Sequence, residues 1–195
     1  MRAAISLLVL LLSMCGVQTD VSTELKELRD MVVELKGRLV ASESKVEALE
    51  NEIKAAPKVA FSAGLRESGY GSTESGDNDL NLVFSRVITN VGEAYSSTTG
   101  FFTAPVKGVY YFRFTVMDYL DKRWVQIRMH KNGKQQLMWL AEHDTDGMAS
   151  YLSSGLTLQL EQLDTVNMLL PASYRLNDDS DYSHCTFSGF LLFPL

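Results

Sequence analysis

Cysteine is scarce in this sequence. The 195 residues contain only two, Cys15 and Cys185, which excludes a small fold held together by a network of disulfides. No Asn-x-Ser/Thr tripeptide occurs, so there is no acceptor for N-linked glycosylation. Gly-X-Y repeats are also missing, and a collagen triple helix cannot form without them. No apolar run reaches the roughly 20 residues that a membrane-spanning helix needs, so we expect no membrane span.

The motifs of common enzyme classes are missing as well. The sequence has no Gly-x-Ser-x-Gly, no His-Glu-x-x-His, no phosphate-binding loop and no dinucleotide fingerprint. Its histidines, His130, His143 and His184, are far apart, and we expect each on the surface or at a strand edge. His184 and Cys185 are adjacent, so on a strand they would face opposite sides and could not form a catalytic pair. We therefore predict a protein that is not an enzyme.

The overall charge argues against a nucleic-acid partner. Acidic residues number 24 against 18 basic ones, which gives a formal net charge of −6. A chain of this sign has no general attraction to phosphate backbones. Apolar residues make up 46% and charged residues 22%, which is typical of a folded domain rather than a disordered chain.

The first residues are typical of an export signal. Arg2 supplies a positive charge, Ala3 to Leu12 is a nearly unbroken apolar run, and small residues follow as far as Gly16. We predict a signal peptide over residues 1–16 and secretion to the extracellular space, with an uncleaved signal anchor as the alternative. Cleavage would leave Cys185 as the one cysteine. Its apolar surroundings predict a buried, unreactive thiol rather than a disulfide between chains.

A heptad repeat occupies residues 21–54. Nine of its ten a and d positions are apolar and Ser42 is the exception, and the segment contains one glycine and no proline. This two-in-seven stripe is narrower than a helix packed on a globular domain normally shows, so it favours a coiled coil over a single packed helix. The oligomerising residues would be Val21, Leu25, Leu28, Val32, Leu35, Leu39, Val46, Leu49 and Ile53.

Beyond Pro57 the pattern changes to that of β-strands. Ala55-Ala56-Pro57 ends the helix, because proline disfavours helical angles in the residue before it. Short apolar runs then alternate with turns, as in residues 108–117, where apolar and polar side chains fall on opposite faces. Asn132-Gly133 predicts a hairpin, whereas residues 65–81 are polar and glycine-rich and are interpreted as a loop. About nine strands without an intervening helix indicate an antiparallel sandwich or jelly roll over residues 57–195.

Eight residues in this region share the type and spacing of a known signature. They are Phe84, Asn90, Tyr95, Phe102, Gly108, Tyr110, Phe112 and Phe114. The region's opening, Val59-Ala60-Phe61-Ser62-Ala63, and its ending, Thr186-Phe187-Ser188-Gly189-Phe190-Leu191-Leu192, also resemble the first and last strands of the C1q globular-head family. The resemblance covers the whole of residues 57–195.

The resemblance implies a ten-stranded jelly-roll sandwich, similar to the tumour necrosis factor fold, that packs as a homotrimer. In such a domain we expect the signature aromatics to fill the core. Since the collagen region is missing, the chain resembles the short-stalked, secreted C1q-like and cerebellin-like proteins more than the complement component itself. Two functions stay open: trimeric recognition of repeated ligands by avidity in innate immunity, and signalling or adhesion through one specific receptor.

Calcium is the one cofactor to consider. Some C1q-like relatives hold this ion in the loop that corresponds to Asp144-Thr145-Asp146-Gly147, so Asp144 and Asp146 are candidate ligands, with a merely solvated loop as the leading alternative. Asp77-Asn78-Asp79 begins like a calcium loop but lacks its turn glycine and closing glutamate. Asn177 to Asp181 is interpreted as a second acidic, solvated loop.

Overall fold

A helix, α1 (Arg2–Ala55), precedes the β-strands. The computed structural model describes residues 2–119, 124–143 and 148–195, with side chains from residue 20 onward. The helix ends where Pro57 makes its continuation unfavourable, and the N–H of Ala56 closes the last turn on the carbonyl oxygen of Glu52 at 2.9 Å. The chain divides into two compact units, a helical unit ending at Ala56 and a β unit from Pro57 to Leu195.

The β unit is built almost entirely of antiparallel strands joined by short turns. Within the described ranges these are β1 (Ala60–Gly64), β2 (Tyr70–Glu74), β3 (Leu80–Asn81), β4 (Arg86–Val91), β5 (Phe102–Thr103), β6 (Gly108–Tyr119), β7 (Trp124–Lys131), β8 (Gln135–His143), β9 (Ala149–Leu160), β10 (Thr165–Leu170), β11 (Arg175–Asp179) and β12 (Thr186–Pro194).

Ten of these strands form two five-stranded sheets. The first has the order β4-β1-β12-β6-β9, and the second has the order β3-β10-β7-β8 with β5 also paired to β10. The remaining strands, β11 and β2, pair with each other. The first and last strands of the unit, β1 and β12, lie side by side and bring its two ends together. This arrangement confirms the predicted jelly-roll sandwich.

The core lies between the two sheets and follows from the alternation in β6. Tyr110, Phe112 and Phe114 are at most 1% exposed, whereas Tyr111 and Arg113 point to the other face. Each buried aromatic removes roughly 150–250 Å² from water, which contributes about 4–6 kcal/mol as an upper estimate. β12 adds the fully buried Phe187 to the same layer.

Two segments differ from the sequence prediction. The predicted loop over residues 65–81 contains β2 and β3, and the predicted acidic loop at residues 177–181 begins within β11. β2 and β11 are polar and pair with each other across more than a hundred residues, from Tyr70 with Asp179 to Glu74 with Arg175. Their stability comes from this long-range pairing rather than from an apolar pattern, so the composition of either segment resembles a loop.

The predicted hairpin at Asn132-Gly133 is confirmed. It connects β7 to β8, and both residues have positive φ angles, 53° and 66°. Asparagine and glycine adopt such angles at little cost. Within the part of the chain that the structure describes, no helix is both long and apolar enough to cross a membrane.

Candidate functional site

The eight signature residues come together inside the β unit. Its six aromatic members are at most 3% exposed. Their rings pack closely, with the Phe102 and Phe112 centroids 5.0 Å apart in an edge-to-face arrangement. A Cβ atom at Gly108 would lie 2.7 Å from Leu191 Cδ1, so only glycine fits there without movement. The signature therefore builds the core and leaves no aromatic face open for a ligand.

Asn90 and Tyr95 fix the loop between β4 and β5. The side-chain amide of Asn90 donates to the carbonyl oxygen of Tyr95 at 2.8 Å, and the Tyr95 N–H donates to Asn90 Oδ1 at 3.2 Å. The Tyr95 hydroxyl donates to the carbonyl oxygen of Phe84 at 3.1 Å and accepts from the Phe84 N–H at 3.0 Å. Burial raises the pKa of Tyr95 to about 12, so it stays a neutral donor.

The outward side of the first sheet carries an exposed apolar row. Val91, Ala60, Phe190 and Tyr111 lie opposite one another on β4, β1, β12 and β6, and we call these four residues the open-sheet face. Phe190 is 42% and Val91 49% exposed, and the rings of Tyr111 and Phe190 are 5.6 Å apart. A contiguous apolar patch of this kind usually marks a contact surface.

The heptad residues of α1 form a second exposed apolar surface. From Val21 to Ile53 their side chains are between 47% and 68% exposed in the single chain. Leucines and valines at this spacing bury their surface only when another helix covers the stripe. The coiled coil itself stays a prediction, as does the signal peptide over residues 1–16, whose side chains lie outside the described part.

The outward side of the second sheet bears two exposed tryptophans, which sequence reasoning did not single out. Trp124 is 51% and Trp139 56% exposed. The Trp139 indole N–H donates to Gln126 Oε1 at 3.2 Å, and the Gln126 amide donates to the Tyr174 hydroxyl. These bonds hold the Trp139 ring in a defined position on the surface. Trp124 shares the alternating positions of Gln126 and Arg128, and this pattern could have identified it from the sequence. Trp139 lies within the apolar run at residues 137–140, where no such signal exists.

A buried polar cluster closes the end of the β unit where β6 finishes. Asp118 is 1% exposed, and it accepts hydrogen bonds from the Arg175 guanidinium at 3.3 Å and from the Asn177 side-chain amide. Burial raises the pKa of Asp118, while Arg175 and the hydrogen bonds act in the opposite direction. Because each buried polar group has its partner, the cluster is structural.

The second acidic segment is therefore not the solvated loop that the sequence predicts. Asn177, Asp178 and Ser180 are each at most 7% exposed. Asp178 accepts from the backbone N–H of Cys185 at 3.0 Å and from that of Arg66 at 3.2 Å. Its carboxylate oxygens are occupied in holding the segments before β12 and after β1, so they are not offered to a metal.

Calcium receives no support from the described residues. Among them, no group of three or more histidine, cysteine, aspartate or glutamate side chains is arranged to hold a metal ion. Asp144 and Asp146 lie outside the described ranges. Asp79 is engaged in protein contacts, since it pairs with Arg128 at 2.8 Å and accepts from the Ala172 N–H at 2.9 Å. The calcium site at Asp144 and Asp146 stays a prediction.

Cys185 and His184 face different environments. The Cys185 thiol is free and fully buried, as its apolar run predicts, and burial raises its pKa well above the usual range. His184 shares a hydrogen bond with the Tyr151 hydroxyl at 3.0 Å. Cys185 and His184 therefore do not form a nucleophile–base pair.

His130 is half-buried and does not lie at an edge of its sheet. It lies on β7, between β10 and β8, and both ring nitrogens are buried. Burial and the neighbouring Arg128 lower the pKa of His130, so the neutral form is favoured. The flanking strands that cover it are far from it in sequence, which is why its position could not be read locally.

Comparisons with known proteins agree on the β unit. The C1q domain family model matches residues 60–192. The chain is 32% identical over 136 residues to complement C1q tumor necrosis factor-related protein 3 of Mus musculus, a match that covers 70% of this chain and 52% of that protein. The chain thus spans about half the length of this curated relative.

Two solved structures share the fold. The globular domain of zebrafish complement 1qA protein matches with a TM-score of 0.53 and 19% identity, covering 71% of this chain and 99% of that one. Eiger TNF from S. frugiperda matches with a TM-score of 0.56 and 15% identity, covering 71% of this chain and 95% of that one. At these identities the likeness concerns the fold alone.

Proposed function

The chain belongs to the C1q domain family, and from this premise we propose that it is a secreted, non-enzymatic recognition protein that assembles as a homotrimer. The observation that carries the proposal is the open-sheet face, an apolar row left exposed on a sheet whose other side is the core. Family membership supports a ligand-binding role, since the comparisons indicate no catalytic family. The predicted signal peptide supports secretion.

Self-association explains both exposed apolar surfaces together. Phe190 is 42% and Val91 49% exposed in the single chain. Packing another copy against these side chains would remove their apolar surface from water. The heptad residues of α1 would associate in the same assembly. This helical segment, the stalk, would keep three β units, the heads, at a high effective concentration. Individually weak contacts with repeated ligands would then add up to strong binding.

The assembly is tested by light scattering combined with size-exclusion chromatography. We expect a particle of three chain masses at micromolar concentration, and a lower mass for Phe190→Asp. Leu163→Asp is the matched control, because Leu163 is a 73% exposed hydrophobic residue in the turn between β9 and β10. A wild-type particle with the mass of one chain would refute the trimer, and equal effects of the two substitutions would refute the role of the open-sheet face.

The ligand class is tested by binding to bacterial surfaces, with and without a calcium chelator. Saturable, multivalent binding or agglutination would support recognition in innate immunity, and loss with the chelator would support the calcium prediction. Binding to one host-cell receptor would favour the alternative of a cerebellin-like or adipokine-like ligand. Trp139→Ala examines whether the exposed tryptophans contact the ligand, because it should lower binding without changing the mass of the particle.

A further inference from the structure

A pocket of about 460 Å³ opens beside the segment that follows β1. Arg66 and Ser68 of this segment line it together with Leu80 and Val83 from the chain around β3. Its volume lies within the range of small-molecule sites, roughly 300–1,000 Å³. All of its lining residues belong to the β unit.

Arg66 is the unusual member of this lining. Its side-chain Nε is buried and has no hydrogen-bond partner, and within the described residues no carboxylate lies within 4.0 Å of its guanidinium. By contrast, Arg128 pairs with Asp79 at 2.8 Å and Arg175 with Asp118 at 3.3 Å. The residue as a whole is half-buried, so its cation is partly shielded from water and lacks a carboxylate to pair with. This position therefore favours an anionic partner from outside the chain.

The backbone of Arg66 is anchored, and its side chain packs over a glycine. The Arg66 N–H donates to Asp178 Oδ2 at 3.2 Å. An added Cβ at Gly71 would lie 3.0 Å from Arg66 Cζ and 3.1 Å from each terminal nitrogen. A planar guanidinium offers two parallel donors, the geometry that matches a carboxylate.

We propose that this pocket binds a carboxylate attached to a short branched apolar group. Arg66 would receive the carboxylate, and the half-buried Leu80 and Val83 would supply the apolar wall. Glu67 also lines the pocket and weakens such binding by its negative charge. The same chemistry is carried by a free branched carboxylic acid and by the C-terminal leucine of a polypeptide. This inference goes beyond the proposed function and does not rest on it.

Isothermal titration calorimetry of the full chain tests the proposal. The probes are 4-methylpentanoate, the neutral 4-methylpentan-1-ol, and acetyl-Gly-Gly-Leu as its free acid and as its amide. We expect at least one acid to bind, and the alcohol and the amide to bind at least tenfold more weakly. Binding of the small acid assigns a free carboxylic acid as the ligand source, and binding of the peptide acid alone assigns a polypeptide terminus.

Substitutions identify the groups responsible. Arg66→Gln should lower the affinity at least tenfold, and Arg66→Lys should recover only part of it, because lysine keeps the charge but not the paired donors. Glu67→Gln should raise the affinity severalfold for 4-methylpentanoate. Lys134→Gln is the control, since it removes the same charge from the exposed turn between β7 and β8.

The proposal is overturned if neither acid binds the wild-type chain, if alcohol and acid bind equally, or if Arg66→Gln leaves binding unchanged. Tryptophan fluorescence reports whether each variant is folded. If Arg66→Gln does not fold, Gly71→Ala replaces it, because the added methyl group displaces the guanidinium and should weaken binding. Light scattering on the same samples reports assembly separately, so failure of this site and failure of the trimer are distinguishable.

Discussion

The heptad face of α1 gives the sharpest test of assembly. We consider Leu35→Gln combined with Leu39→Gln, at neighbouring d and a positions of the repeat. The control is Val33→Gln combined with Val40→Gln, which replaces two apolar residues that are 70% and 60% exposed at positions outside the stripe. Leucine and glutamine have similar helix propensities and valine has a lower one, so a loss of helix stability in the leucine variant cannot come from propensity.

The expected magnitude follows from the exposure of the two leucines. Leu35 is 60% and Leu39 57% exposed in the single chain. Full burial of a leucine contributes roughly 1.5–3 kcal/mol, so covering the remaining surface contributes about 1–2 kcal/mol for each. Six leucines in a trimer give about 5–10 kcal/mol as an upper estimate. Since 1.4 kcal/mol is a tenfold change, even the lower figure means more than a thousandfold weaker stalk association.

The helix and the head can be followed separately. Circular dichroism at 222 nm reports mainly α1, whereas both tryptophans, Trp124 and Trp139, lie in the β unit. We expect the leucine variant to lose the helix transition at much lower temperature and to keep the tryptophan transition, while the valine variant behaves like the wild type. Equal helix melting and equal mass for the two variants would show that residues 21–54 do not form a coiled coil.

Three further predictions concern the head. Tyr95→Phe removes a hydroxyl that both donates to and accepts from Phe84, so we expect a loss of about 1–3 kcal/mol in the free energy of unfolding, measured by denaturant titration. Hydrogen bonds from Asn132 and Lys131 lower the pKa of Asp164 to about 2. The ionised carboxylate therefore stabilises the folded state at pH values above its unfolded pKa, near 4, and this stabilisation is lost as the pH falls toward 2. The melting temperatures of wild type and Asp164→Asn should accordingly converge over that interval, and a constant difference would contradict the role of these bonds. The buried Cys185 thiol, with its raised pKa, should resist iodoacetamide at pH 8 until the head is unfolded, and peptide mapping shows whether it does.

The family and the fold class were predictable because their signals are local or regularly spaced. The two-residue alternation in β6 identifies its buried face without knowledge of the neighbouring strands. The spacing from Phe84 to Phe114 carries the resemblance that the family match over residues 60–192 confirms. The turn at Asn132-Gly133 needs only the φ preferences of its own two residues.

The polar strands and the pockets were not predictable in this way. β2 and β11 have no apolar pattern, and each is a strand only because the other pairs with it. Asp178 was interpreted as part of a solvated loop, yet its carboxylate joins the N–H groups of Arg66 and Cys185. The strand topology brings these residues together, so their contacts cannot be predicted from the sequence around any one of them.

The amino-acid sequence is enough to predict the helix before Pro57, the antiparallel sandwich after it and the aromatic core, because side-chain periodicity and turn preferences act between near neighbours. Three features are visible only in the folded domain. Phe190 and Tyr111 are neighbours on the outward side of the first sheet, Asp118 pairs with Arg175, and the Arg66 Nε is buried without a hydrogen-bond partner beside a pocket. The reason is physical. Strand order and register are set by the packing of the whole domain, and they fix which distant polar groups find partners.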